Sequence, residues 1–148
     1  MRENVFLFLV WSRARRFEPE IRAALARRFR ILRETEIRWP WWGFTRKLRE
    51  FYGFGGWFTW WNKARKCGRG PFKVYVVEDP SPVWAHRRDT RGQDLRVDLS
   101  VYETKKAFRA LTGHSNIVHS SVTPEESAEQ LALLFPGDPM FAEGGRAS

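Results

Sequence analysis

The order of strand-like and helix-like segments limits most strongly which folds are open to this chain of 148 residues. Apolar runs and alternating patterns predict strands at residues 4–11, 31–39, 72–78 and 116–119. Amphipathic patterns and capping residues predict helices at residues 17–30, 45–52, 57–66, 80–88, 100–111 and 124–135, with a polar loop after residue 88. A chain in which strands and helices alternate buries its helices against a sheet. We therefore expect an α/β or α+β sandwich in which helices cover a four-stranded sheet.

Length and composition predict a single domain outside the membrane. Residues 1–136 have the size of one domain, and the Gly/Pro-rich residues 137–148 are expected to form a flexible tail. The apolar run at residues 4–11 is too short for a signal peptide or a membrane span, so we expect a cytoplasmic protein with no membrane partner. Cys67 is the only cysteine and the three histidines are scattered, so no metal site is predicted.

Charge and tryptophan are concentrated in the first half of the chain. Residues 1–75 carry eighteen Lys/Arg against six Asp/Glu, a balance that favours a polyanion: nucleotide phosphates, nucleic acid or an acidic partner. Six of the eight tryptophans lie at positions 39, 41, 42, 57, 60 and 61. Such a cluster is typical of a core combined with an interaction surface, so it is a candidate interface for a homo-oligomer or a protein partner.

A histidine ends the last predicted strand and is followed by a strongly signalled helix start. Thr123 is the expected N-cap, Pro124 occupies the first helical position, and Glu126 lies three residues after the cap. An imidazole is neutral and nucleophilic near neutral pH, and a helix start attracts phosphate. His119 is therefore a candidate nucleophile, and the alternative is a structural histidine at the end of a strand.

This region resembles the active-site signature of the nucleoside diphosphate kinases. The matching run is Asn116-Ile-Val-His119, then Ser121, then Glu126-Ser-Ala-Glu129; the turn is one residue longer here, and Ser120 replaces a glycine. Two more landmarks of that family recur at similar separations, a tyrosine at position 52 and Gly70-Pro71 before the third strand. The resemblance spans about residues 5–135 and implies a ferredoxin-like, four-stranded antiparallel sheet with helices packed on it.

The resemblance also implies an activity. In these kinases a histidine, here His119, takes the terminal phosphate of a nucleoside triphosphate such as ATP and passes it to a nucleoside diphosphate. Mg²⁺ lies across the nucleotide phosphates. The family forms oligomers, so the resemblance implies a nucleotide partner and self-association.

The resemblance and the local chemistry together give a set of candidate substrate-binding residues. Trp60 lies where the family stacks an aromatic ring on the base, Tyr52 lies beside the histidine, and Ser121 matches a serine near it. Four further positions match or resemble contacts to phosphate or ribose: Arg87 or Arg88, Thr90, Lys105 or Lys106, and Asn116.

Departures from the family pattern define the alternative function. The family's first strand ends with a lysine that contacts the transferring phosphate, whereas Trp11 follows Val10 here, and Arg13 or Arg15 would have to substitute. The family's orienting glutamate corresponds to apolar Leu131. The alternative is therefore a catalytically degenerate module of the same fold that binds a nucleotide, or binds nucleic acid through the basic N-terminal half.

Overall fold

The structure is a computed structural model that describes residues 2–53, 55–89, 91–114 and 117–141. The strands are β1 (Val5–Val10), β2 (Arg30–Ile37), β3 (Phe72–Glu78), β4 (Trp84–Arg88), β5 (Asp94–Asp98) and β6 (Val118–Ser120). The helices are α1 (Glu18–Arg28), α2 (Phe44–Tyr52), α3 (Trp57–Cys67), α4 (Leu99–Thr112) and α5 (Pro124–Leu134), with short 3-10 turns at Ser12–Phe17 and Trp41–Gly43. None of the helices in these described ranges is long and apolar enough to span a membrane.

Four strands form one antiparallel sheet in the order β2-β3-β1-β6. Every residue of β1 is buried, because helices cover both faces of the sheet at this central strand. Alternate side chains of β1 enter two separate cores: Leu7 and Leu9 pack with α2, α3 and α5, while Phe6 and Phe8 pack with α1 and α4. The predicted four-stranded antiparallel sheet with helices packed on it is confirmed.

The tryptophan cluster divides between the core and the surface. Trp60 is buried, and the half-buried Trp39 packs against Phe72, with ring centroids 4.8 Å apart, and against the buried Trp11 at 6.0 Å. In contrast, five large aromatic side chains of the α2–α3 region are exposed: Trp41, Trp42, Trp57, Phe58 and Trp61. We refer to these five residues as the exposed aromatic surface.

The prediction of a helix at residues 80–88 followed by a polar loop is wrong. This segment forms an antiparallel hairpin instead, in which β4 pairs with β5 from Trp84 opposite Asp98 to Arg88 opposite Asp94. The guanidinium of Arg96 lies 4.1 Å from the centroid of the Trp84 ring across the hairpin, and this ring also meets Phe6 of the main core. Cross-strand pairs of this kind stabilise a hairpin whose sequence has little intrinsic strand preference.

Two smaller predictions also need correction. Helix α2, predicted to begin at residue 45, begins at Phe44 with Gly43 as its N-cap, and Thr45 lies inside its first turn. Two residues of the expected flexible tail contact the rest of the domain: Phe141 is buried, and Asp138 pairs with Arg33 at 2.6 Å. Residues 142–148 lie outside the described residues.

Candidate active site

The turn between β6 and α5 has the capping arrangement that the sequence predicts. Thr123 is the N-cap of α5, and its Oγ1 accepts a hydrogen bond from the Glu126 backbone N–H at 3.1 Å. The Glu126 carboxylate accepts a bond from the Val122 N–H at 2.9 Å, one residue earlier than in the usual capping box. These two hydrogen bonds fix the backbone of the turn and so the position of α5 relative to β6.

His119 lies in the middle of β6, opposite Leu9 of β1, and only 7% of the residue is exposed. The rings of Phe51 and Tyr52, at the end of α2, meet the imidazole edge-on, with centroids 5.2 Å and 5.1 Å away. The imidazole Nε2 is 2.8 Å from the Oε1 atom of Gln130 on α5. Three elements, β6, α2 and α5, thus fix the position of the ring.

The surroundings of His119 keep its imidazole neutral. Burial lowers the pKa of His119 well below its usual value, and the positive charge of Lys105 lowers it further. The hydrogen bond with Gln130 raises the pKa, whereas the charges of Lys63 and Arg109 lower it. The net result is a neutral ring at neutral pH, in which one nitrogen carries no proton. A ring nitrogen without a proton is the form that attacks phosphorus.

Lys105 of α4 supplies a positive charge next to the histidine strand. Its Nζ donates a hydrogen bond to the carbonyl of Ser120 at 3.3 Å. Burial lowers the pKa of Lys105 to about 8, and the carboxylate of Glu126 opposes this shift. Lys105 therefore remains mostly protonated at neutral pH, and an anionic ligand would stabilise its charged form.

A cavity of about 490 Å³ is lined by Phe51, Tyr52 and Gln130, which contact the histidine, whereas His119 itself is not one of its lining residues. This volume is within the usual range for small-molecule sites. Six cationic side chains line it: Arg87, Arg88, Arg91, Lys105, Lys106 and Arg109. Four acidic side chains also line it: Glu50, Asp89, Glu126 and Glu129. The surplus of positive charge suits a ligand with several phosphate oxygens.

The structure brings together four of the substrate-binding residues predicted from the sequence. Tyr52, Arg87, Arg88 and Lys105 all line the cavity, although the two arginines reach it from strand β4 and not from a helix. Lys106 lines it as well. Thr90 and Asn116 lie outside the described residues.

Two predicted residues have other positions. Trp60 is 2% exposed and stacks on Tyr52, with ring centroids 5.0 Å apart and planes 12° apart, so its ring is part of the core and is not presented to a nucleobase. Ser121 is fully buried, and its Oγ accepts a hydrogen bond from the Leu7 N–H at 3.0 Å and bonds with the Ser127 Oγ at 2.8 Å. Ser121 therefore connects β1 with α5, and its hydroxyl is not bonded to the histidine.

No cation reaches the cavity from the end of β1. Trp11 fills the position after the strand and is buried in the core. Arg15 forms ion pairs with Glu36 at 2.6 Å and with Glu18 at 3.0 Å, and neither Arg13 nor Arg15 lines the cavity. Neither arginine therefore supplies this cavity with the positive charge of a strand-one lysine. The positive charge of the cavity comes from α4 and from the β4–β5 hairpin.

Comparison with known proteins was made on both sequence and structure. No protein-family model matches the chain. A nucleoside diphosphate kinase of Mycolicibacterium smegmatis is 39% identical over 69 residues, which are 47% of this chain and 49% of the relative. A nucleoside diphosphate kinase of Mycobacterium sp. (strain MCS) is 37% identical over 68 residues, 46% of this chain and 49% of the relative. The chain thus matches about half the length of these curated relatives.

Solved structures match over nearly the whole chain. The nucleoside diphosphate kinase of Aquifex aeolicus superposes with a TM-score of 0.55 and 13% identity, over 92% of this chain and 97% of that chain. The enzyme of Encephalitozoon cuniculi gives 0.58 and 14%, over 93% and 91%. The chain has the nucleoside diphosphate kinase fold. The resemblance predicted from the sequence is confirmed.

Within this fold, sequence analysis missed two residues of the site. The orienting partner of the histidine is not at Leu131, which is fully buried in the core; Gln130 makes that contact. The extra residue assumed in the turn shifted the alignment of α5 with the family by one position, from Gln130 to Leu131. Arg109 was also missed, although it follows Lys105 by four residues and so shares its helix face. The four-residue spacing from Lys105 to Arg109 was the sequence signal that could have identified it.

Proposed function

We propose that this protein is a divergent nucleoside diphosphate kinase-like phosphotransferase that carries phosphate on His119. The observation that supports this most directly is the buried, neutral imidazole, held through Nε2 by Gln130, which itself lines a cationic cavity. Bonding at Nε2 leaves Nδ1 as the nitrogen available for attack. The relatives with the same fold are named nucleoside diphosphate kinases, and one solved neighbour, from Borrelia burgdorferi, is a transition-state mimic with bound vanadate and ADP.

The reaction we propose has two transfers of one phosphoryl group. His119 Nδ1 attacks the terminal phosphorus of a nucleoside triphosphate, and the bond from that phosphorus to the bridging oxygen breaks, so a nucleoside diphosphate leaves with the electron pair. An acceptor diphosphate then attacks the phosphorus, and the P–N bond breaks. Lys105, Arg109, Arg87 and Arg88 line the cavity in positions to neutralise phosphate oxygens during both transfers.

Magnesium would enter this site with the nucleotide. Among the described residues there is no group of three His, Cys, Asp or Glu side chains that could hold a metal ion, so we assign Mg²⁺ to the nucleotide phosphates. Bound there, it neutralises part of the phosphate charge. The protein side chains named above provide the remaining positive charge and the position of the nucleophile.

The decisive experiment is transfer of labelled phosphate. The parent protein, His119→Ala and His114→Ala are incubated with γ-labelled ATP and Mg²⁺, and acid-labile, base-stable label is measured. His114 is an exposed histidine outside the cavity, so its variant is the matched control. We expect label on the parent and on His114→Ala and none on His119→Ala. Equal labelling of the His119→Ala variant would refute the proposal.

A second candidate is nucleotide binding without transfer. It is favoured by Trp11, which replaces a cation at the end of β1, and by the low exposure of His119. Nucleotide binding measured by calorimetry, combined with the absence of label on the parent, would identify this function. Discharge of label to a diphosphate would exclude it.

The exposed aromatic surface is the proposed site of self-association. Its large rings are 40% to 75% exposed, and the guanidiniums of Arg65 and Arg69 lie 5.2 Å and 5.9 Å from the Trp61 ring centroid. Trp and Arg are enriched at the centres of protein interfaces. Light scattering of the parent and of Trp41→Ser should show a larger species only for the parent. If the parent and Trp41→Ser are both monomeric and bind single-stranded nucleic acid in a salt-sensitive way, the nucleic-acid alternative is supported.

A further inference from the structure

Gln130 is hydrogen-bonded to the His119 imidazole, and its side chain is uncharged. It extends from α5, is 4% exposed, and its Oε1 lies 2.8 Å from the imidazole Nε2. A buried polar pair of this kind is costly to break, because each partner would lose a hydrogen bond that water cannot replace. The amide and the imidazole are therefore held together in one fixed arrangement.

This contact selects one tautomer of the histidine. An amide oxygen only accepts hydrogen bonds, so its partner Nε2 must carry the proton, and Nδ1 keeps its lone pair. The ring cannot rotate easily, since the rings of Phe51 and Tyr52 bound it edge-on at 5.2 Å and 5.1 Å. Gln130 thereby presents the nucleophilic nitrogen in a constant direction.

The neutrality of the amide has a consequence once phosphate is on the ring. When Nδ1 bonds to phosphorus, Nε2 keeps its proton and the ring becomes a phosphoimidazolium cation. The amide oxygen of Gln130 cannot accept that proton as a carboxylate would. The other groups whose charges act on this ring, those of Lys105, Lys63 and Arg109, are all positive. None of these three groups offsets the new charge, and the nearby Glu126 carboxylate is bonded to the Val122 N–H and interacts with the charge of Lys105.

We propose that Gln130 is a positioning residue that fixes the proton of His119 on Nε2 and, because it is uncharged, keeps the phosphohistidine short-lived. The proposal rests on the proposed function and adds to it what determines the stability of the phosphohistidine intermediate. The atoms balance: the Nδ1–P bond forms, the P–O bond to the diphosphate breaks, and the Nε2 proton stays in place. On discharge the electron pair of the P–N bond returns to Nδ1.

The first test measures the tautomer in the protein without nucleotide. Nitrogen NMR of the imidazoles is tractable because the chain has three histidines, and His119→Ala assigns the signal. We expect the proton on Nε2 in the parent, exchange between tautomers in Gln130→Leu, and a raised His119 pKa in Gln130→Glu. A parent protein with its proton on Nδ1 would overturn the proposal, whatever the protein does with ATP.

The second test measures the lifetime of the phosphohistidine, formed with phosphoramidate so that no nucleotide is needed. A charge-assisted hydrogen bond is about twice as strong as a neutral one, so we expect the intermediate of Gln130→Glu to last about tenfold longer than that of the parent. Glu125→Gln changes the charge of an exposed position on the same helix and should match the parent. Equal lifetimes of the parent and Gln130→Glu would overturn the proposal. Labelling by phosphoramidate but not by ATP would instead refute the proposed kinase activity alone.

Discussion

Replacing Asp98 by asparagine should make the protein more stable at alkaline pH. Asp98 ends β5 and caps α4: its Oδ1 accepts hydrogen bonds from the Ser100 N–H at 2.9 Å and the Val101 N–H at 3.4 Å. Its Oδ2 is buried next to the carboxyl group of Asp79, and neither Oδ2 has a donor among the described residues. Two buried carboxyl groups in contact share one proton more easily than they hold two negative charges. Asparagine keeps the cap and removes the second charge.

The size of the effect follows from the pKa. Burial, and then the contact with Asp79, raise the pKa of Asp98 from 3.8 to about 7. Because the pKa is higher in the folded protein than in the unfolded chain, this stabilisation is complete below pH 3.8 and is lost as the pH rises to about 7. The full shift corresponds to roughly 4 kcal/mol at 1.36 kcal/mol for each pKa unit. Solvent screening reduces this to about 2 kcal/mol.

Urea denaturation at about pH 5 and about pH 8 measures this difference. About two thirds of this stabilisation is lost between these two conditions, so the free energy of unfolding of the parent should fall by about 1 kcal/mol more than that of Asp98→Asn. Asp94→Asn is the matched control, since Asp94 lies on the same strand with its side chain 69% exposed. Its pH dependence should follow the parent. An equal pH dependence of the parent and Asp98→Asn would show that the two carboxyl groups do not share a proton.

Three further changes test other parts of the structure. Thr123→Ala removes the cap of α5 and should lower the free energy of unfolding by about 1 kcal/mol in urea; an unchanged midpoint would contradict the capping role. Lys105→Met removes a charge that lowers the pKa of His119, so an NMR titration should show a higher pKa, and a lower one would refute the electrostatic assignment. Gly68→Ala places a Cβ against the Ser12 hydroxyl at a φ of +83° and should lower the melting temperature by several degrees, which calorimetry would measure.

The sequence was sufficient for the main sheet because its signals are local and strong. The run in β1 and the alternation in β2 each reflect burial on known faces, and the cap of α5 needs only four adjacent residues. The β4–β5 hairpin gave no such signal. Its strands are five residues long, and its stability depends on Trp84, which contacts Arg96 and Phe6 only after the chain has folded.

The site was only partly predictable for a similar reason. The period of α3 places Trp60, Ala64 and Cys67 on one face, which is the buried face, so the sequence contained the signal that Trp60 is a core residue. The partner of His119 was harder to find. Whether Gln130 or Leu131 faces the imidazole depends on the rotation of α5 about its axis, which the turn geometry and the core packing set together.

The pairing of β1 with β6 determines when this site can form. The hydrogen bond from the Leu7 N–H to the Ser121 side chain joins residues 114 positions apart. Contacts of such long range have a higher loop-closure entropy cost than contacts between neighbouring elements such as α2 and α3. His119 and Gln130 therefore meet only after most of the domain has been synthesised and the edge of the sheet is in place. A partly synthesised chain contains the basic residues but not the contact between His119 and Gln130, so the proposed phosphate transfer would require the folded domain.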